Sequence, residues 1–191
     1  MFMLDFNKLY VDNHLKRIQP NIILGVFCKI GNSMAYRSFR SYNYRDRLIR
    51  HQNFLGELSP IGMNSSNTDK MDATFDLEWV DESHSLVRLR SINFPRHYLR
   101  HQNFRVKLHE DNPADPLMRA DSTFIAEQGL ASPYGWEFIS FRASNPNLPG
   151  HYIRHRNFHL YLDLIRPNDQ IGREDATFEI LYPAVTNFQP Y

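Results

Sequence analysis

SINFPRHYLRHQNF (Ser91–Phe104) decides the fold, because the chain carries this stretch three times. SYNYRDRLIRHQNF (Ser41–Phe54) precedes it, and SNPNLPGHYIRHRNF (Ser144–Phe158) follows. The shared Arg-His-x-Asn-Phe core puts His51, His101 and His155 at intervals of 50 and 54 residues. A second element keeps step with the first. Asp72-Ala-Thr-Phe75, Asp121-Ser-Thr-Phe124 and Asp175-Ala-Thr-Phe178 begin 21, 20 and 20 residues after their histidines. Two elements held in step three times mark an internal repeat of supersecondary units.

Each repeat reads as four short strands. The first is Ser38–Ser41, Val87–Arg90 and Phe138–Phe141; the second is Leu48–His51 and its equivalents. The third shows clear alternation in Arg105–Leu108 and His159–Leu162, the period of a half-buried strand. The fourth starts at Thr-Phe, with Phe75, Leu77 and Trp79 on one face. Turn formers punctuate the joins, at Pro60, Gly62 and Asn64, at Asn112 and Pro113, and at Pro167 and Asn168. No stretch after residue 36 shows sustained helical periodicity. Three such units are too few for a propeller. The expectation is therefore an all-β chain, a β-trefoil of three pseudo-symmetric four-stranded repeats at about 37–81, 86–129 and 136–183, within a domain spanning 36–185. Residues 1–35 read as an N-terminal extension, with a candidate strand at Ile22–Ile30, and 186–191 as a tail.

Composition narrows the function classes. The 22 Lys+Arg offset 21 Asp+Glu, so no basic face marks nucleic acid or an anionic membrane as a partner. One cysteine, Cys28, excludes an internal disulfide and reads as a small buried hydrophobe. The longest apolar run, Ile22–Cys28, is far short of the roughly 20 residues a spanning helix needs. No convincing export signal precedes it.

The phrase Asn-Phe-Pro-x-His-Tyr-Leu-Arg-His-x-Asn-Phe, with Arg-Ala-Asp-x-Thr-Phe about 20 residues on, resembles carbohydrate-binding module family 42, the arabinose-binding domain appended to α-L-arabinofuranosidase B. The resemblance runs over roughly residues 37–183. It implies a module that binds L-arabinofuranose side chains of arabinoxylan or arabinan through a His-Tyr pair and the later Asp. His97, Tyr98 and Asp121 match in the second repeat, and His151, Tyr152 and Asp175 in the third. The first has Arg47 and Leu48 in place of the pair beside Asp72, which implies a degenerate pocket. A carboxylate that accepts from adjacent hydroxyls and a Tyr ring over the C–H edge would suit a furanose.

Other readings stay beside this one. Because the Asp recurs in all three repeats, it also reads as an Asx-turn before strand four. Arg50-His51, Arg100-His101 and Arg154-His155 read as hairpin geometry, and Asn53, Asn103 and Asn157 as turn residues. Phe54, Phe104, Phe158, Phe75, Phe124, Phe178, Trp79 and Trp136 read as core. The His97/His101 and His151/His155 spacings would suit zinc on a helix, but these runs are strand-like and no third ligand is near, so neither metal nor cofactor is expected. No catalytic motif appears, and hydrolysis would be the work of a separate glycoside hydrolase partner. The remaining alternatives are a β-trefoil protein adaptor and a lectin for another sugar.

Overall fold

The structure, a computed structural model, describes residues 36–81, 86–132 and 137–185. The expected strand at Ile22–Ile30, Cys28, Trp136 and the 186–191 tail lie outside these residues. In chain order the elements are β1 (Tyr36–Ser41), β2 (Arg47–Gln52), β3 (Leu55–Pro60), α1 (Asn67–Asp72), β4 (Phe75–Asp81), β5 (Leu86–Ser91), β6 (His97–Gln102) and β7 (Arg105–Glu110). There follow α2 (Pro116–Asp121), β8 (Phe124–Gln128), β9 (Phe138–Ala143), β10 (His151–Arg156), β11 (His159–Leu164), α3 (Gln170–Asp175) and β12 (Phe178–Leu181). The strands fall where the sequence patterns place them.

The architecture corrects the expected β-trefoil of three four-stranded repeats. All twelve strands join one antiparallel sheet. Ten of them form a closed barrel in the order β11-β3-β2-β1-β12-β9-β8-β5-β6-β7, shut by the β7–β11 pairing. The other two bridge neighbours, β4 between β1 and β5, and β10 between β9 and β11. The four strands of one sequence repeat are not a unit of pairing. β4 runs along β5, β8 along β9 and β12 along β1, each across a repeat boundary. Sequence spacing shows the repeat length, whereas closure of the sheet decides the partners, and closure removes exposed edges.

The three helices are a second correction. Each is six residues long, under two turns and too short to show a period. Their caps are local: the side chains of Ser66, Asp115 and Asp169 accept from backbone N–H groups of the first turn. The repeated Asp-x-Thr-Phe motif is thereby explained. Its Asp closes the helix instead of making an Asx-turn. Its Thr hydroxyl donates back to the helix, Thr74 to the Lys70 carbonyl, Thr123 to Arg119 and Thr177 to Arg173. Its Phe enters the core.

That core fills the barrel. Phe39, Phe75, Phe124, Phe141 and Phe178 are fully buried with Ile49, Leu89, Leu99, Leu108 and Ile153. Trp79 packs on it from the side. Where β3 meets β7 the strands approach closely, and a Cβ on Gly56 would sit 3.0 Å from Val106. Val106 and Leu160 occupy the corresponding positions of β7 and β11 and are buried.

Candidate functional site

Three hairpins carry the residues of interest. β2–β3, β6–β7 and β10–β11 each turn through two residues, Asn53-Phe54, Asn103-Phe104 and Asn157-Phe158, all at positive φ. Two positive-φ residues define a type I′ turn, whose second position favours Gly. Phenylalanine there costs about 1–2 kcal/mol of backbone strain, so its presence in all three turns calls for a use of the ring. Phe54 is 48% and Phe104 49% exposed, against the expectation that they are core. The Asn-Phe pair, where Asn-Gly is normal, was the sequence signal.

Each ring rims a buried Asp–Arg–His cluster, termed a pocket below, that is completed by residues of another repeat, the third cluster joining the last repeat to the first. In the first pocket, Arg50 donates to Asp72 Oδ2 at 2.6 Å, and Asn93 Nδ2 donates to Asp72 Oδ1 at 2.7 Å. The Ser91 hydroxyl donates to Asn93 Oδ1 at 2.7 Å, and His51 Nε2 lies 3.0 Å from both. Phe54, Phe94 and His97 close the mouth, with ring centroids 5.2–5.6 Å apart. The third pocket repeats this plan. Arg154 donates to Asp175 Oδ2 and Asn43 Nδ2 to Asp175 Oδ1, the latter at 2.7 Å. The Ser41 hydroxyl holds Asn43 Oδ1 at 2.8 Å, and His155 Nε2 lies 3.0 Å from that oxygen. Tyr44 packs edge-on to His155 and Phe158, and the Arg47 guanidinium lies 3.7 Å above the Phe158 ring.

The second pocket differs. Arg100 donates to Asp121 Oδ2 at 2.5 Å, as in the others. Asn145, however, turns its Oδ1 to its own loop and accepts the Asn147 N–H at 2.9 Å. The position that pairs with the core Phe is Ser in the other two pockets, Ser91 opposite Phe75 and Ser41 opposite Phe178, but here it is Ala143 opposite Phe124. Among the described residues, buried His101 Nε2 has no hydrogen-bond partner. It lies 3.3 Å from Asp121 Oδ1 without hydrogen-bond geometry. Phe104 and His151 stack at the rim, 5.9 Å between centroids.

Burial lowers the pKa of His51, His101 and His155 below the ordinary histidine value, against the opposing pull of Asp72, Asp121 and Asp175. Neutral imidazole can donate or accept at Nε2.

The structure regroups the expected site residues. His97 joins Asp72 in the first pocket, His151 joins Asp121 in the second, and Arg47 joins Asp175 in the third. Neighbouring residues on a strand face opposite sides, so Tyr98 and Tyr152 point away from their histidines. The Tyr98 hydroxyl donates to Glu78 at 2.7 Å beneath Arg88, and the Tyr152 hydroxyl to Glu127 at 2.9 Å. Burial pushes both phenols up to about 12. Leu48 is the buried residue that follows Arg47 in β2, as Tyr98 follows His97 in β6. His101, Phe104 and Asn145 were not among the expected sugar contacts.

The family described as "Alpha-L-arabinofuranosidase B (ABFB) domain" matches residues 26–77 and 37–180. No curated protein matches by sequence. Among solved structures, an arabinofuranosidase complexed with arabinofuranosyl-α-1,2-xylobiose superposes with a TM-score of 0.69 at 23% identity, covering 82% of this chain and 32% of that one. A GH54 α-L-arabinofuranosidase soaked with a cyclic sulfate inhibitor gives 0.65 at 22% identity, over 81% and 32%. A mosquitocidal holotoxin gives 0.56 at 8% identity, over 78% and 17%. These identities establish a shared fold, and the chain spans about a third of the length of the arabinofuranosidases.

Proposed function

Since the chain belongs to the alpha-L-arabinofuranosidase B (ABFB) domain family, we propose that it is a non-catalytic module that binds L-arabinofuranose side chains of a polysaccharide such as arabinoxylan or arabinan. The observation that carries the reading is the second pocket. Its Asp121 carboxylate is 5% exposed and anchored on one oxygen by Arg100, while the other lies 3.3 Å from His101 Nε2, a buried atom with no hydrogen-bond partner among the described residues. A buried polar atom without a partner is costly, and a ligand hydroxyl removes that cost. Two adjacent hydroxyls fit this arrangement, one accepted by Asp121 Oδ1 and one facing His101 Nε2. The Phe104 face covers the C–H edge of the ring, and His151 sits beside it.

The same geometry supports binding rather than hydrolysis. Glycoside cleavage uses two carboxyl groups across one bond. The second pocket presents Asp121, and that carboxylate is held by an arginine. A catalytic partner domain would supply the chemistry.

Calorimetry with arabinofuranosyl-xylobiose tests this. Weak binding by the wild type, lost in Phe104→Ala, is expected, with no arabinose released on incubation. A folded wild type that binds no arabinofuranoside sinks the reading, and released arabinose sinks its non-catalytic part.

A further inference from the structure

We propose that a Ser–Asn clasp decides which pocket is open, so that the chain carries one working sugar site, at Asp121, and two latent ones. This rests on the sugar-binding reading and adds its stoichiometry and its determinant residues.

The clasp occupies the groups a sugar would use. In the first pocket Asn93 Nδ2 takes Asp72 Oδ1, the oxygen left free by Arg50, and Asn93 Oδ1 stands beside His51 Nε2. A diol at Asp72 would have to displace both contacts. Ser91 keeps the amide in that pose by donating to Oδ1 and accepting the Phe94 N–H at 3.3 Å. Asn43 and Ser41 do the same at Asp175, with the Tyr44 N–H on Ser41 Oγ at 3.2 Å. The turn also lays an aromatic ring on the histidine. Phe94 lies 5.4 Å from His51, and Tyr44 lies 5.3 Å from His155. In the third pocket Arg47 further covers the face of Phe158.

The second pocket keeps the Asn, as Asn145, but has lost the rest of this device. Ala143 has no hydroxyl to hold Asn145, Pro146 replaces the aromatic cap, and two extra residues separate Ala143 from His151. Here His101 Nε2, on a residue only 7% exposed, has no hydrogen-bond partner among the described residues, whereas His51 Nε2 and His155 Nε2 each stand 3.0 Å from the clasping Asn.

The test is calorimetry with arabinofuranosyl-xylobiose, together with ¹⁵N-histidine NMR of the full chain. The wild type is expected to bind close to one equivalent, with ligand shifting the His101 ring and leaving His51 and His155 in place. Ala143→Ser, which restores the anchor for Asn145, is expected to weaken binding by about tenfold, the worth of one or two competing hydrogen bonds. The double variant Asn93→Ala/Phe94→Ala is expected to gain a second equivalent, read by a new response of His51. Two or three equivalents in the wild type, with His51 or His155 responding, would overturn the clasp and leave sugar binding standing. Unchanged affinity in a folded Ala143→Ser would also overturn it, even if the double variant does not fold. Absence of any binding by the wild type refutes both readings together.

Discussion

Replacing Phe104 by Gly separates what the turn needs from what a ligand needs. Phe104 sits at φ 62° in the second position of an Asn-x turn. Relieving that conformation is worth about 1–2 kcal/mol. Against it stand about 0.5–1 kcal/mol of extra unfolded-chain entropy for Gly, and about 1 kcal/mol for a ring that is only half buried. The terms nearly cancel, so Phe104→Gly should lie within about 1 kcal/mol of wild type, a shift of roughly 2–4 °C at most. Phe104→Ala keeps the positive φ and loses the ring, so it should be about 1 kcal/mol less stable than wild type. Both should lose about tenfold or more in affinity for an arabinofuranoside, since stacking on the ring is gone. Urea denaturation and calorimetry on the three proteins provide the assay. If Phe104→Gly is destabilised by more than 2 kcal/mol, the ring is held in the turn by packing, and the argument from strain fails.

Other outcomes follow from the same contacts. Tyr98→Phe removes the hydroxyl that reaches Glu78 and should cost about 1 kcal/mol while sugar affinity stays the same; a loss of affinity would return Tyr98 to the binding site. Asp121→Asn leaves Arg100 buried without its counter-charge and should cost about 3 kcal/mol in urea denaturation. The buried histidines His51, His101 and His155 have lowered pKa values, so the unfolded chain takes up protons first. Stability should therefore be full above about pH 6.5 and fall as pH drops below it; a denaturation midpoint that does not change between pH 7 and pH 5 would contradict this. In an ultraviolet titration, Tyr98 and Tyr152 should ionise late, near pH 12, and Tyr98→Phe should remove one of the late phenols.

The strands were legible because alternation and turn residues are local. The core phenylalanines Phe75, Phe124 and Phe178 were legible because each follows the repeated Asp-x-Thr. The helices were not, since six residues carry no period, although Ser66, Asp115 and Asp169 stood in the sequence as caps. Strand partnership was not legible, because repeat spacing does not say which strands pair. β4 pairs with β5 and not within its own repeat, and that choice is made by closure of the whole sheet. The site suffered from the same cause. His97 and Asp121 share a repeat, yet the chain delivers His97 to Asp72 and His151 to Asp121, because each pocket spans a repeat boundary. The sequence aligns Ser144 with Ser41 and Ser91, and only the strand register, with Ala143 opposite Phe124, shows that Ala143 stands in their place; what the serine does depends on contacts between residues 40 or more positions apart, such as His51 with Ser91.

The most direct test of the central claim is a crystal structure of this chain with arabinofuranosyl-xylobiose. The account predicts an arabinofuranose ring on Phe104, beside His151, with adjacent hydroxyls on Asp121 Oδ1 and His101 Nε2, and with Asn43 and Asn93 still clasped. A sugar bound on Tyr98 or Tyr152, or at another face of the barrel with His101 unchanged, would contradict it.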